Sequence, residues 1–240
     1  MSLPDLKTAA EDVRARTALN TWLDGIDASE RIAWALDSLP GEHAVSSSFG
    51  AQAAVSLHLA TRARADIPVV LIDTGYLFPE THRFAEELRT RLALNLKVHR
   101  PRPESAWDSA RIDALAEGGA TAIADYNRVH KVEPMRRALA ELDASTWIAG
   151  IRRSQSLSRR RIDYLELRDG RWKLHPLADW TDRDIWHYMQ RHDLPYHPLW
   201  HEGYVSIGDV HTTRRWLPGM RDEDTRFFGL ARECGLHVVS

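Results

Sequence analysis

The sequence predicts an α/β fold: a parallel, twisted sheet with helices on both faces. Three observations predict it. Short β-branched or apolar runs alternate with helical patterns, as in strand–crossover–strand units. Three polar clusters fall just beyond strand-like runs, where open α/β sheets bind their ligands. A chain of 240 residues, 43% hydrophobic and 28% charged, can also bury a full core.

Residues 1–40 read as helical. Ala44-Val45-Ser46-Ser47 is the first strand, and after Ser48-Phe49-Gly50 a helix carries Ala51, Ala54, Val55 and Leu59 on one face. His58 shares that face, where a satisfied core histidine is the expected reading. Val69-Val70-Leu71-Ile72 is a second buried strand ending in Asp73-Thr74-Gly75, and Phe84, Leu88 and Leu92 mark the next helix at spacings of four. Leu96-Lys97-Val98 and Thr146-Trp147-Ile148-Ala149 are further strands. Between them Pro134 suits the first turn of a helix bearing Met135, Ala138, Leu139 and Leu142. Arg168-Asp169-Gly170-Arg171 reads as a hairpin turn, after which the chain is rich in Trp, His and Pro. There is no internal repeat and no low-complexity linker.

A net charge of −2 argues against wholesale binding of nucleic acid or a membrane surface. No long apolar run follows Met1, so neither a signal peptide nor a membrane span is expected, and a single unpaired cysteine fits the reducing cytoplasm.

The first polar cluster is Ser46-Ser47-Ser48-Phe49-Gly50. Small residues between strand and helix let backbone N–H groups and hydroxyls approach a phosphate at the positive end of the helix dipole. It is not a Walker loop, because no Gly-Lys-Ser/Thr follows, and a plain serine-rich turn is the alternative. The second is Asp73-Thr74-Gly75, whose aspartate can bond ribose or adenine groups or simply cap the next helix. The third joins Gly150-Ile151-Arg152-Arg153 to Arg159-Arg160-Arg161, with no acidic residue between Arg152 and Arg161. Arginine forks suit phosphate and sulfate, and a solvated loop or an RNA contact is the bland reading. Lys131 and His211-Thr212-Thr213-Arg214-Arg215 add cations, so that together these residues can neutralise a small polyanion. The pair His197 and His201 raises a metal, but Pro198 disfavours a helix interior there and no third ligand stands out beyond Glu202, so no metal is expected.

Cys234 is the chain's only cysteine. It can form no internal disulfide and is either inert packing or reactive chemistry. Its neighbours favour chemistry: Gly235 adds backbone freedom, and Arg232 and His237 can support the thiolate.

Six segments, Ser46–Gly50, Leu71–Gly75, Lys131–Pro134, Gly150–Arg153, His211–Arg214 and Glu233–His237, together resemble the phosphoadenylyl-sulfate reductases, thioredoxin-dependent members of the adenine-nucleotide alpha-hydrolase (PP-loop) superfamily. Each is weak alone, but six in the family's order are specific. The resemblance implies reduction of 3′-phosphoadenylyl sulfate to sulfite and adenosine 3′,5′-bisphosphate in sulfate assimilation, in the cytoplasm. It makes Cys234 the nucleophile and assigns substrate binding to Ser46, Ser47, Ser48, Gly50, Asp73, Lys131, Arg152, Arg153, Arg214 and Arg215. It implies thioredoxin as reductant, with glutaredoxin the alternative dithiol, and leaves room for a homodimer. The organisation it implies is a helical segment over 1–40, a nucleotide-binding α/β domain over 41–204 and a mobile tail over 205–240.

The chemistry agrees with the resemblance. A thiolate attacking the electrophilic sulfur of a phosphosulfate leaves an S-sulfonated cysteine and expels a stabilised phosphate. A second thiolate must then release sulfite, and with no second cysteine the dithiol must come from outside. Related adenylyl-sulfate reductases bind an iron–sulfur cluster through paired cysteines. The matching positions here are Tyr126-Asn127 and Asp209 through Thr212, so no cluster is expected and the 3′-phosphorylated substrate is favoured. Two other classes compete. A ligase or tRNA-modifying enzyme of the same superfamily would need Ser-Gly-Gly-X-Asp-Ser where this chain has Ser47-Ser48, and a non-catalytic nucleotide-binding module would leave Cys234 incidental. Because Cys234 must meet first a nucleotide and then a protein, residues 205–240 are expected to swing as a lid, with Gly203 and Gly208 supplying the freedom.

Overall fold

The computed structural model describes residues 5–230 and 235–236. Three helices open it, α1 (Leu6–Glu11), α2 (Val13–Asp24) and α3 (Ala28–Ser38), each started by an aspartate whose carboxylate accepts a first-turn N–H. At α3 Glu30 returns the bond to Asp27 and closes a capping box.

The sheet that follows contains β1 (Glu42–Ser46), β2 (Pro68–Ile72), β3 (Asn95–His99), β4 (Ala144–Ala149), β5 (Leu165–Arg168) and β6 (Arg171–Leu174) in the order β3-β2-β1-β4-β6-β5. All neighbours run parallel except β5 and β6, which form a hairpin. Its two turn residues, Asp169 and Gly170, both have positive φ (49° and 74°), the type I′ geometry that matches the twist of paired strands. Helix α4 (Ala53–Ala63) connects β1 to β2, and α5 (Pro79–Arg91) connects β2 to β3.

Strand alternation divides the core between two faces. Val45, Val69, Leu71 and Ile148 point into the larger core with α2 to α5, while Ala44, Val70, Ile72, Trp147 and Ala149 meet Met135, Ala138 and Leu139 of α8 (Glu133–Glu141) on the other. Helix α6 (Ser109–Asp113) and α7 (Gly119–Asn127) contribute Ile112, Ile123 and Tyr126 to a third cluster around Trp107 and Phe227. Helix α9 (Asp182–Arg191) buries Ile185 and Met189.

Pro134 stands in the first turn of α8, where the sequence places it. What the sequence does not show is that α8 continues from α7 through a π-helical turn, Arg128–Val132, with the Glu133 N–H reaching back to Arg128 O. A proline cannot donate to the preceding turn and its ring crowds the carbonyl there, and a widened turn relieves both demands. The extra residue also turns His130 and Lys131 into the protein.

Among the described residues no helix is long and apolar enough to cross a membrane. The described part of the 205–240 segment lies on the body of the molecule: Ile207, Asp209, Thr212, Thr225 and Phe227 are buried, and Val210 N–H bonds Tyr76 O at 2.8 Å.

Candidate active site

Strand β1 lies between β2 and β4, so the chain leaves it toward one edge and later returns on its other side. In a parallel sheet that reversal opens a crevice beyond the carboxyl ends of the strands. A cleft of about 340 Å³ occupies this place, at the lower end of the range for small-molecule sites.

One wall is the serine turn. Ser47 N–H extends the ladder by one bond to Val70 O (3.0 Å), and its Oγ accepts the Phe49 N–H at 3.0 Å. Phe49 (φ 49°) drops its ring into the core, and Ser46, Ser47, Ser48 and Gly50 are left lining the cleft at the approach to α4. The positive end of the α4 dipole therefore faces the cleft beside the hydroxyls.

The opposite wall is the loop after β4. A Cβ on Gly150 would stand 2.6 Å from the Ser56 side chain, so glycine is what lets this loop lie against α4. Arg152 is buried in the wall. Its Nη2 is 2.9 Å from both Gln52 Oε1 and Asp182 Oδ1, and its Nη1 donates to Ser154 Oγ at 3.2 Å. Arg159 also lines the cleft, donating to Gln155 Oε1 at 2.6 Å.

The floor is an ion pair. Lys131, turned inward by the π turn, lies 2.6 Å from Asp209 Oδ2, and Thr74 Oγ1 donates to Asp209 Oδ1 at 2.5 Å. Burial alone would raise the Asp209 carboxyl, but Lys131 and the two hydrogen bonds outweigh it and bring it to about 2. Arg226 closes the far side. A Cβ at Gly208 would collide with its guanidinium, so Gly208 serves close packing and not a hinge.

Of the residues singled out in the sequence, the cleft gathers Ser46, Ser47, Ser48, Gly50, Lys131 and Arg152. Four lie elsewhere. Asp73 neither lines the cleft nor caps α5, whose N-cap is Phe78: its carboxylate accepts Gly75 N–H at 3.0 Å and pairs with Arg100 at 2.8 Å, while the next residue, Thr74, faces the cleft. Arg153 donates to Ile162 O at 2.9 Å and packs over the Tyr164 ring. Arg214 is exposed and donates to Asp224 O at 2.8 Å, and Arg215 is exposed beside Glu202. Arg152 is extended and Arg153 opens a 3-10 turn, Arg153–Gln155, so the backbone changes direction between them and their side chains part company. Cys234, Arg232 and His237 lie outside the described residues, but Leu236, two residues past the cysteine in sequence, is in the cleft wall.

Sequence reading missed Gln52, Gln155, Asp182, Ser206 and Arg226 of the cleft, and Asp209 entered only as a place where a cysteine was lacking. None sits in a strand-end cluster with a recognisable chemistry. His197, considered for a metal, is buried with both nitrogens engaged: Nδ1 accepts Leu199 N–H at 3.1 Å, so Nε2 carries the proton toward Thr81 Oγ1 at 3.0 Å. His58 Nδ1 meets Tyr188 OH at 2.8 Å. Tyr126 and His211, from the two segments read as replacing cluster cysteines, come together with ring centroids 5.1 Å apart, and the ring of His130 stacks on Tyr126.

With this geometry in place, comparison with known proteins is informative. Residues 42–215 match the phosphoadenosine phosphosulfate reductase domain family. The chain is 62% identical over 220 residues to phosphoadenosine 5′-phosphosulfate reductase of Xanthomonas axonopodis pv. citri, covering 92% of this chain and 91% of that protein. To the protein of the same name from Xylella fastidiosa it is 60% identical, covering 91% and 92%. Among solved structures, phosphoadenylyl-sulfate (PAPS) reductase from Candida auris in its phosphate complex superposes with a TM-score of 0.69 at 25% identity, covering 85% of this chain and 98% of that one. Candida glabrata FMN adenylyltransferase with FMN and an ATP analogue shares the fold alone, with a TM-score of 0.57 at 19% identity over 78% of this chain and 62% of that one.

Proposed function

The chain belongs to the phosphoadenosine phosphosulfate reductase family, and from that membership we propose that it reduces 3′-phosphoadenylyl sulfate to sulfite and adenosine 3′,5′-bisphosphate. The observation that carries this reading is the cleft itself: serine hydroxyls and a helix N-terminus on one wall, Arg152 and Arg159 on the other, and, also lining it, Leu236, two residues from the only cysteine. Such a cleft suits a nucleotide carrying several anionic groups and leaves its electrophilic sulfur to a thiolate.

The chemistry runs in two steps. The Cys234 thiolate attacks the sulfur of the phosphosulfate, an S–S bond forms, the S–O bond to phosphorus breaks, and the nucleotide leaves as its phosphate. A thiolate of thioredoxin, or of glutaredoxin, then attacks the Cys234 sulfur and expels sulfite, and its second thiol resolves the mixed disulfide, so that the external dithiol supplies both electrons. Arg232 and His237 support the Cys234 thiolate. No iron–sulfur cluster takes part, because the chain has one cysteine where four thiolates are needed. The setting is the cytoplasm, and a homodimer is compatible with every step.

Incubated with 3′-phosphoadenylyl sulfate and no reductant, the protein is expected to gain the mass of one SO3 group on the peptide containing Cys234, and to release sulfite only when thioredoxin is added. A Cys234→Ser variant that still releases sulfite at the parent rate would sink the mechanism and return the chain to the class of binding modules.

A further inference from the structure

We propose that Lys173 is a positioning residue: it holds the Gly235–Leu236 turn against the cleft and thereby sets the place from which Cys234 acts. The proposal rests on the reading of Cys234 as nucleophile for its consequence, but not for the docking itself.

Lys173 sits on β6 with only 1% of its surface exposed. An ammonium there is costly unless it finds acceptors. Its Nζ donates to Leu236 O at 2.8 Å and lies 4.2 Å from the centroid of the Trp147 ring, which its neighbouring strand presents in register. The Leu236 side chain packs on the cluster of Met135 and Trp147, and Gly235 (φ 78°) passes so close to the π turn that a Cβ would stand 3.1 Å from Val132 Cγ2. The same indole donates from Nε1 to Ser46 Oγ at 2.6 Å. A continuous set of contacts thus joins the serine turn to the tail: Ser46, Trp147, Lys173, Leu236. Lys173 itself does not line the cleft, so its influence passes through the tail and the indole.

The geometry has a direct consequence. A charge-assisted bond from a buried lysine to a main-chain carbonyl holds the tail without regard to the side chain it carries, so the docked position is fixed to within one residue of Leu236. Cys234 is two residues away. Losing the bond should free the tail while leaving the nucleotide walls intact.

The chain's single cysteine makes the test clean, because alkylation reports on one residue. In Lys173→Met, iodoacetamide should alkylate Cys234 about tenfold faster, and amides of the C-terminal peptide should exchange correspondingly faster, the size expected for loss of one hydrogen bond to a charged group. The dissociation constant for adenosine 3′,5′-bisphosphate should stay within about twofold, while the rate of Cys234 sulfonation falls about tenfold. Lys173→Arg, which can still donate to the carbonyl, should recover most of both effects. Lys173 also faces Glu166 across the β5–β6 ladder, so Glu166→Gln serves as control and should leave alkylation unchanged. If Lys173→Met does not fold, Lys173→Gln, uncharged and one bond too short to reach the Leu236 carbonyl, must show the same release. Alkylation and exchange rates equal to the parent in a folded Met or Gln variant overturn the proposal, as does a Glu166→Gln variant that releases the tail equally. Failure of the parent to be sulfonated would instead refute the reductase reading and leave the docking result standing.

Discussion

Arg152 and Arg153 are consecutive and do different work. Arg152 is held by Gln52 and Asp182 in the cleft wall, whereas Arg153 is spent on Ile162 O and the Tyr164 ring. Arg152→Ala should therefore weaken binding of adenosine 3′,5′-bisphosphate at least tenfold by calorimetry with little change in melting temperature, since a hydrogen bond to a charged group is worth about 1.5–3 kcal/mol. Arg153→Ala should do the reverse, lowering the melting temperature and sparing affinity. A normal affinity in Arg152→Ala would move that residue to the scaffold. Lys131 and Asp209 pose a separate question, because a cation in an anion site is here already paired with a buried carboxylate. Removing one partner of such a pair typically costs about 3–5 kcal/mol. Asp209→Asn is expected to lose stability of that order in urea titrations, and the double variant Asp209→Asn/Lys131→Met to regain part of it without regaining nucleotide affinity. Equal instability of the single and double variants would show that the pair is not what the stability depends on.

At the scale of elements, the π turn, the serine turn and the 205–230 segment build the cleft together. The segment is tied down by the Lys131–Asp209 pair, the Tyr76 O bond to Val210 N–H and the burial of Phe227. If this segment swings as a lid, its opening must break these contacts, with Asp209 and Lys131 on opposite sides of the opening. A polyanion held by Lys131 and Arg152 would gain Arg226 only when the segment is closed. Hydrogen exchange over residues 205–230 should accordingly slow when adenosine 3′,5′-bisphosphate is added. Equal and strong protection with and without the nucleotide would rule out the lid.

For the whole molecule, buried histidines govern acid stability: His197 and His175 are depressed furthest, and burial lowers His43, His130 and His211 in the same direction. Burial depresses His197 to about 4 and His175 to about 3, so both are neutral in the folded protein, while in the unfolded chain they titrate near 6.5. The unfolded state takes up protons first. Stability is thus complete above about pH 6.5 and falls as the pH drops from there toward 4, by about 3 kcal/mol for His197 alone. Asp209, depressed to about 2 by Lys131 against the opposing effect of burial, adds a further loss only below about pH 4. Urea midpoints measured at pH 7.5 and 5.0 should show the first decline, and His197→Asn should flatten it. A profile as steep in His197→Asn as in the parent would place the loss in other groups.

The strands, the crossover helices and the hairpin at Asp169-Gly170 were legible in the sequence because they depend on local period and turn chemistry. So were the serine turn and Arg152 as parts of the cleft, since each carries its chemistry in neighbouring residues. Pro134 marked the first turn of α8, but the π turn that joins α8 to α7 left no signal in the sequence, because a widened turn has no local residue signature. The family resemblance assigned Asp73, Arg153, Arg214 and Arg215 to the substrate, yet in this structure their side chains are engaged with Gly75 and Arg100, Ile162 and Tyr164, Asp224, and Glu202. Conversely Asp209, Arg226 and Gln52 were invisible as site residues, because a single polar side chain has no period and its partner lies 78 residues away in the case of Asp209 and Lys131. The sequence by itself determined the sheet, the order of its polar turns and the presence of a single thiol. Tertiary structure alone decided which charges face the cleft and which are neutralised, since that depends on side-chain direction and on partners brought together by folding.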